Sequence, residues 1–190
     1  MQAALDWLTQ SSKRVLTVTG PPASGKTTFL KALIKNFQKL PNILCLFADA
    51  DDFSNHEGQL DVARITEWVT TTNTKLETSL FDYQELNVRA NVGPTVLLMA
   101  FAEHLGNQLP NKSIVFIIDE GTNFVRDHEW RVLEKSFIEP LGSLNFARLV
   151  IGLSNDQRIH SYILRNSETR LELNSLVPLF KNQQHDIMTI

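Results

Sequence analysis

Apolar residues along the chain form short continuous runs that alternate with longer stretches of helically spaced apolar residues. Short runs rich in aliphatic and β-branched residues predict strands buried on both faces, which is the pattern of a parallel sheet. Such runs predict four strands, over 14–19, 42–48, 113–118 and 147–153, and the alternation over 171–173 predicts a fifth. The stretches between them predict helices, so we expect an α/β protein.

Helical spacing is strongest in a few of the intervening segments. It predicts helices over 3–10, from residue 26 to a lysine-rich end at Lys39 that Pro41 closes, over 60–69 and over 130–138, with a weaker one over 76–88. The polar threonine run 70–74 is expected to follow the end of the third helix. Gly93-Pro94 is expected to start a further helix, which Gly106 and Pro110 stop. In the first helix, Trp7 is interpreted as a packing residue rather than as a ligand contact.

A glycine-containing loop joins the first predicted strand to the following helix. Its sequence, Gly20-Pro21-Pro22-Ala23-Ser24-Gly25-Lys26-Thr27-Thr28, fits the phosphate-binding Walker A pattern G-x-x-x-x-G-K-[ST]. The glycines allow a tight turn whose N–H groups point at phosphate oxygens, and the helix adds the positive end of its dipole. Lys26 is expected to reach the outer phosphates, and the Thr27 hydroxyl is expected to hold Mg²⁺.

The strand predicted over 113–118 ends in two adjacent carboxylates, Asp119 and Glu120. Taken with the upstream loop, this pattern is a Walker B strand followed by a glutamate. Asp119 is expected to orient Mg²⁺, and Glu120 to polarise an attacking water as a general base or positioning group. The alternative is a strand that simply ends in Asp-Glu at a turn, but the upstream Walker A loop favours the catalytic interpretation.

Three further groups of residues are candidates for the same site. Asn155, and after it Ser154, would hold the attacking water at a strand end, unless Asn155 only caps the next helix. Arg165 or Arg170 would stabilise transition-state charge, in cis or on a neighbouring subunit, with a plain surface arginine as the alternative. The acidic loop 49–52 is interpreted as a turn or helix cap in preference to a metal site.

Composition and net charge exclude some kinds of protein and favour others. The 190 residues are 43% hydrophobic and 21% charged, as in an ordinary globular domain, and no apolar run is long enough to span a membrane. No secretion signal is evident, and the single cysteine, Cys45, indicates a reducing, cytoplasmic environment and a buried structural thiol. The net charge of −3 argues against electrostatic binding of nucleic acid over a broad surface. Binding through a local basic stripe is the alternative.

The chain resembles the ASCE division of P-loop NTPases, in which a glutamate follows the Walker B aspartate. Within that division it is similar to AAA+ and STAND signalling ATPases. The matching segments are Asp6-Trp7-Leu8, the Val-Thr-Gly-Pro-Pro lead into the loop, Ile118-Asp119-Glu120, Leu153-Ser154-Asn155 and residues 170–179. The resemblance implies a three-layer sandwich with a five-stranded parallel sheet in the order 5-1-4-3-2. It also implies ATP as the nucleotide, and nucleotide-gated assembly into a homo-oligomer or a larger multidomain complex.

The resemblance also divides the chain. Residues 1–178 are expected to form the nucleotide-binding ATPase domain, and 179–190 the start of a truncated helical lid or a C-terminal tail. The sequence is therefore interpreted as the N-terminal domain of something longer. Ala23 occupies a loop position where many relatives have glycine.

These observations predict a cytoplasmic regulatory domain that binds and hydrolyses ATP with Mg²⁺ as a switch or small motor. One alternative is a P-loop kinase in which Asp49 or Asp51 activates an acceptor hydroxyl, although Glu120 beside Asp119 suits water better than an alcohol. Another is a scaffold that binds ATP and hydrolyses it negligibly without its lid or partner. Nucleic acid as a substrate stays open, and salt-dependent DNA binding would test it.

Overall fold

The computed structural model describes residues 1–12, 14–57, 59–76, 93–122, 141 and 144–154, and the backbone of 169–172. The helices within them are α1 (Gln2–Gln10), α2 (Lys26–Phe37), α3 (Val62–Leu76) and α4 (Pro94–Gln108). The strands are β1 (Val15–Gly20), β2 (Ile43–Asp49), β3 (Ser113–Asp119), β4 (Ala147–Ser154) and β5 (Thr169–Glu172). The helices predicted over 76–88 and 130–138 lie outside the described residues, except for Leu76. None of the described helices is long and apolar enough to cross a membrane.

The strands form one sheet in the order β2-β3-β4-β1-β5, and every pairing is parallel. The predicted α/β class with a parallel sheet is confirmed. Strands β3 and β4 lie at the centre of this sheet, and their side chains are almost all buried. Continuous aliphatic sequence is therefore required on both strands, because neither face of the central sheet meets water.

Alternation along β3 divides the core between the two faces of the sheet. Ile114, Phe116 and Ile118 belong to a cluster with apolar residues of α3 and α4. Val115 and Ile117 belong to a second cluster with residues of α1 and α2. Since burial of one such side chain contributes about 1.5–3 kcal/mol, these alternating contacts fix which helices lie on which face.

Helix α3 continues through the threonine run that was expected to follow its end. Three threonine hydroxyls donate to the carbonyl four residues earlier: Thr66 to Val62 at 2.7 Å, Thr70 to Thr66 at 2.8 Å and Thr74 to Thr70 at 2.9 Å. These bonds satisfy the hydroxyls within the helix, so the polar run does not break it. The predicted end before residue 70 was wrong, and α3 extends to Leu76.

Helix α4 begins where the sequence predicted, with Gly93 as N-cap and Pro94 at its first position. The prediction that Gly106 stops it was wrong, because the helix runs on to Gln108. A Cβ on residue 106 would lie 2.8 Å from the ring of Phe146, so this glycine permits close packing instead of ending the helix.

Helix α1 packs on the sheet through Trp7, which is 2% exposed, and its interpretation as a packing residue is confirmed. Arg148 of β4 holds the end of this helix. Its Nη2 donates to the Ser11 carbonyl at 2.9 Å, and its guanidinium carbon lies 5.2 Å from the Trp7 ring centroid.

Candidate functional site

The parallel register brings the polar ends of four strands to one edge of the sheet. Gly20 of β1 pairs with Ser154 of β4, Ile118 of β3 pairs with Ile151 of β4, and Asp49 of β2 pairs with Asp119 of β3. The glycine-containing loop and both acidic segments therefore share the carboxyl edge of the sheet, where α/β proteins bind ligands.

The loop between β1 and α2 turns through two residues with positive φ. Gly25, the N-cap of α2, has φ +87°, a conformation that residues with a side chain rarely adopt. Ala23 has φ +59° and so carries a local strain of about 1–2 kcal/mol. This left-handed backbone gives a physical reason for the preference for glycine at that position. The Ser24 N–H donates to the Pro21 carbonyl at 3.2 Å and closes the turn.

Helix α2 presents unbonded N–H groups at its start. The first amide of this helix with a carbonyl partner is that of Phe29, which donates to Gly25 at 2.8 Å. The amides of Lys26, Thr27 and Thr28 come before it, in the turn where helical amides have no partner within the helix. Thr27 is half-buried and Thr28 is exposed. Such an N-terminus is suited to binding phosphate oxygens.

Lys26 is buried inside the loop, with 5% of its surface exposed. Its Nζ donates to the carbonyls of Gly20 at 3.2 Å and Pro21 at 3.0 Å, and it has no carboxylate partner among the described residues. Two carbonyl dipoles do not neutralise a buried ammonium charge, so the loop has an unbalanced positive centre. The Ser24 hydroxyl is also buried and has no hydrogen-bond partner in the part of the chain that the structure describes. These features fit a bound polyphosphate.

Asp119 ends β3 in a buried position, with 1% of its surface exposed. Its Oδ1 accepts the Glu120 N–H at 2.9 Å. A Cβ on Gly152 of β4 would lie 3.1 Å from this Oδ1 and 3.1 Å from Leu30 Cδ1 of α2. Asp119 and the helix that follows the loop therefore pack against the same glycine.

Glu120 is half-buried and has φ +51°. The left-handed backbone turns the chain sharply just after β3. Gly121 and Thr122 then lie against the end of β4, where the Ser154 N–H donates to Thr122 Oγ1 at 2.7 Å. Sequence analysis did not single out Gly121, Thr122 or Gly152, because no local pattern marks their contacts.

The acidic loop after β2 is a capped 3-10 turn, Ala50–Asp52. Asp49 Oδ1 accepts the Asp51 N–H at 3.2 Å, and the Asp49 N–H donates to Asp52 Oδ2 at 2.8 Å. Burial raises the pKa of the Asp49 carboxyl above its usual range, and the charges of Asp51, Asp119 and Asp52 add to this effect. The cap interpretation is confirmed. The described residues hold no group of three or more histidine, cysteine, aspartate or glutamate side chains placed to bind a metal ion.

A groove of about 770 Å³ lies between the outer edge of β2 and α3, with Phe47 and Trp68 among its lining residues. None of the lining residues belongs to the loop 20–28 or to Asp119-Glu120. This groove is therefore separate from the candidate nucleotide site.

The side chains of the remaining predicted site residues are outside the described part of the chain. Asn155 and Arg165 lie outside the described residues. Arg170 lies in β5, where its backbone pairs with Thr17 of β1, and only that backbone is described. The roles expected of these residues stay predictions.

Comparison with known proteins agrees with this geometry. The model of a protein family described as Nephrocystin 3, N-terminal, matches residues 2–120. A Walker-type ATPase of Pyrococcus abyssi has a TM-score of 0.60 at 13% identity, and 90% of this chain and 51% of that chain are covered. Cdc6p from Pyrobaculum aerophilum has a TM-score of 0.52 at 18% identity, with 88% and 43% covered. A search of curated proteins gave no match.

The two solved structures establish the fold. The chain has the fold of Walker-type ATPases, and the predicted resemblance to P-loop NTPases is confirmed. The chain spans about half the length of these structures.

Proposed function

We propose that this chain, which belongs to the family described as Nephrocystin 3, N-terminal, is an ATP-binding and ATP-hydrolysing regulatory domain. The observation that carries the proposal is the buried Lys26 ammonium, which lies in a glycine-containing loop at the start of α2 and bonds only to carbonyls among the described residues. Within a Walker-type fold, this arrangement supports binding of a nucleoside triphosphate.

Binding uses the loop and the first turn of α2. The amides of residues 26–28 donate to phosphate oxygens, and Lys26 exchanges its carbonyl partners at Gly20 and Pro21 for phosphate oxygens. The Thr27 hydroxyl and the Asp119 carboxylate hold Mg²⁺, a role supported by the packing of Asp119 and α2 on Gly152. Bound Mg²⁺ supplies charge neutralisation on the phosphates.

Hydrolysis depends on Glu120, which we assign to orienting and deprotonating the attacking water. Its position next to Asp119, on a backbone fixed in the left-handed region, supports this role. Asn155, with Ser154 as the second candidate, would hold the same water, and Arg165 or Arg170 would stabilise the transition-state charge.

At the level of the protein, we propose that residues 1–178 form the ATPase domain and that Mg-ATP acts as a conformational or assembly switch. We expect the chain to work as part of a homo-oligomer or of a larger multidomain assembly. We expect it to work in the cytoplasm. The single cysteine supports the compartment, because proteins of the reducing cytoplasm rarely carry disulfides.

Phosphate release from Mg-ATP by the whole chain, measured over a range of protein concentrations, tests the proposal. The Glu120→Gln variant should bind ATP and lose hydrolysis, whereas Lys26→Ala should lose binding. Lys31→Ala is the matched control, because Lys31 is an exposed lysine of the same helix, and it should resemble the wild type. A steep rise in specific activity with protein concentration would place an arginine across subunits.

The alternatives give different results. ATP binding without hydrolysis at any concentration would replace the ATPase with a nucleotide-dependent scaffold. Phosphate transfer to an added small acceptor, with little release to water, would replace it with a kinase. Failure of the wild type to bind ATP would overturn the proposal itself.

A further inference from the structure

The segment that follows β3 is fixed by contacts at three consecutive residues, the last two of which contact β4. Asp119 Oδ1 accepts the Glu120 N–H at 2.9 Å, which fixes the turn at its start. A Cβ on Gly121 would lie 2.6 Å from Ile151 Cγ1 and 3.1 Å from the Gly152 carbonyl oxygen, so the backbone of residue 121 lies directly on β4. Thr122 Oγ1 then accepts the Ser154 N–H at 2.7 Å.

The Thr122 hydroxyl extends the hydrogen bonding between β3 and β4 past the point where the strands separate. Backbone pairing of β3 with β4 ends at Ile118 and Ile151. At the other end of β4, the carbonyl of Phe146, the residue before the strand, accepts the Ile114 N–H of β3 at 2.9 Å. Because backbone groups of alternate residues point the same way along a strand, the Ser154 N–H also points towards β3. No β3 backbone lies opposite it, and the side chain of Thr122 supplies the acceptor.

Glu120 lies between the two anchored ends of this segment. Its φ of +51° is a conformation that costs a residue with a side chain free energy and persists only where the surroundings impose it. The Asp119 carboxylate holds one side of the residue, and the contacts of Gly121 and Thr122 with β4 hold the other.

We propose that Thr122 is a positioning residue for Glu120, and that its hydrogen bond to Ser154 couples the end of β4 to the orientation of the glutamate. This inference rests on the proposed function, since it assigns Glu120 the role given there. A change at the end of β4, where Asn155 follows Ser154, would then reach Glu120 through one hydrogen bond.

The test uses the whole chain with Thr122→Val, which keeps the side-chain shape and removes the acceptor, and Thr122→Ser, which restores it. Thr17→Val is the matched control, because Thr17 is buried in β1 and its hydroxyl has no hydrogen-bond partner. Each variant is measured for ATP affinity, for kcat, for thermal unfolding and for exchange of the Ser154 and Glu120 backbone amides by NMR.

In Thr122→Val we expect kcat to fall about 10- to 100-fold, with ATP affinity changed less than about threefold. Exchange of the Ser154 amide should rise at least about tenfold. Thr122→Ser should restore both values, and Thr17→Val should match the wild type. A Thr122→Val protein that folds and keeps wild-type kcat overturns the inference, and so does one whose Ser154 amide exchange is unchanged.

Failure of the Thr122 inference and failure of the ATPase proposal give different experimental results. If the wild type binds ATP without hydrolysing it, the ATPase proposal fails, and the amide exchange of Ser154 and Glu120 still decides whether Thr122 holds the segment. If Thr122→Val does not fold, Thr122→Ser and Thr122→Ala are compared by the same exchange measurement. That comparison then decides whether the Thr122 hydroxyl holds the segment. Equal exchange in those two variants would overturn the inference.

Discussion

Gly152 and Asp119 lie so close that a side chain on the glycine would crowd the carboxylate. A Cβ on residue 152 would be 3.1 Å from Asp119 Oδ1 and 3.1 Å from Leu30 Cδ1. The bare backbone of β4 thus sets the distance between the carboxylate and α2. Through this contact, a residue without functional groups governs the geometry expected of the magnesium site.

Gly152→Ala tests that relationship. Asp119 or Leu30 must shift by a few tenths of an ångström, so we expect a loss of Mg²⁺-dependent ATP affinity and a destabilisation of about 1–3 kcal/mol. Isothermal titration with and without Mg²⁺ and urea unfolding measure the two effects. Gly106→Ala is the control, because its Cβ would lie 2.8 Å from the Phe146 ring, away from the loop. It should destabilise the fold and leave ATP affinity alone. Equal ATP affinity in both variants would contradict the argument.

Asp49 provides a prediction of pH dependence. Burial, with the charges of Asp51, Asp119 and Asp52, raises the pKa of its carboxyl, so the ionised form costs folding free energy. This cost is fully present above the folded-state pKa and disappears below the unfolded value of about 3.9. Asp49→Asn keeps a cap oxygen and removes the charge, so it should stabilise the chain at pH 7 by less than about 1 kcal/mol, given its partial exposure.

Urea unfolding of wild type and Asp49→Asn from pH 7 to pH 3 checks this prediction. The gain should shrink as the pH falls, because the wild-type carboxylate becomes neutral. Asp51→Asn removes a charge from the same loop at an exposed position, and its gain should be smaller. A destabilised Asp49→Asn at neutral pH would show that the carboxylate is needed as a cap.

The parts of the fold and site that could be predicted have local signals. The strand–loop–helix unit around residues 20–28 was recognisable because the phosphate-binding pattern has a fixed spacing of glycine, lysine and threonine, and β1 and α2 flank the loop as that pattern predicts. Central strands such as β3 were recognisable because burial on both faces demands continuous apolar sequence.

The parts that could not be predicted depend on contacts between distant residues. Gly106 looks like a helix stop until Phe146 is known to pack against it. Thr122 has no signal of its own, because its partner Ser154 lies 32 residues away. The continuation of α3 through its threonines depends on hydroxyl bonds within the helix, against the helix propensity of those residues.

Cys45 should be a poor nucleophile. Burial raises the pKa of its thiol to about 12, so only about one molecule in ten thousand carries the thiolate at pH 8. The neutral thiol carries no charge to desolvate, so this shift has no effect on stability below the unfolded pKa of about 8.5, and the free energy of unfolding falls as the pH rises from there towards about 12. Reaction with a chromogenic disulfide at pH 8 should be at least about 100-fold slower in the native chain than in urea. Similar rates in the two states would contradict the raised pKa.

Arg148 should hold α1 on the sheet. Its Nη2 donates to the Ser11 carbonyl at 2.9 Å, and its guanidinium lies over the Trp7 ring at 5.2 Å. Arg148→Ala removes the charge-assisted bond and the ring contact, so we expect the free energy of unfolding to fall by about 1–3 kcal/mol. Arg148→Lys retains the charge without the planar fork and should recover only part of that loss. Urea unfolding measures both losses, and trypsin digestion reports release of α1. If Arg148→Lys is as stable as the wild type, the guanidinium geometry is not what holds the helix.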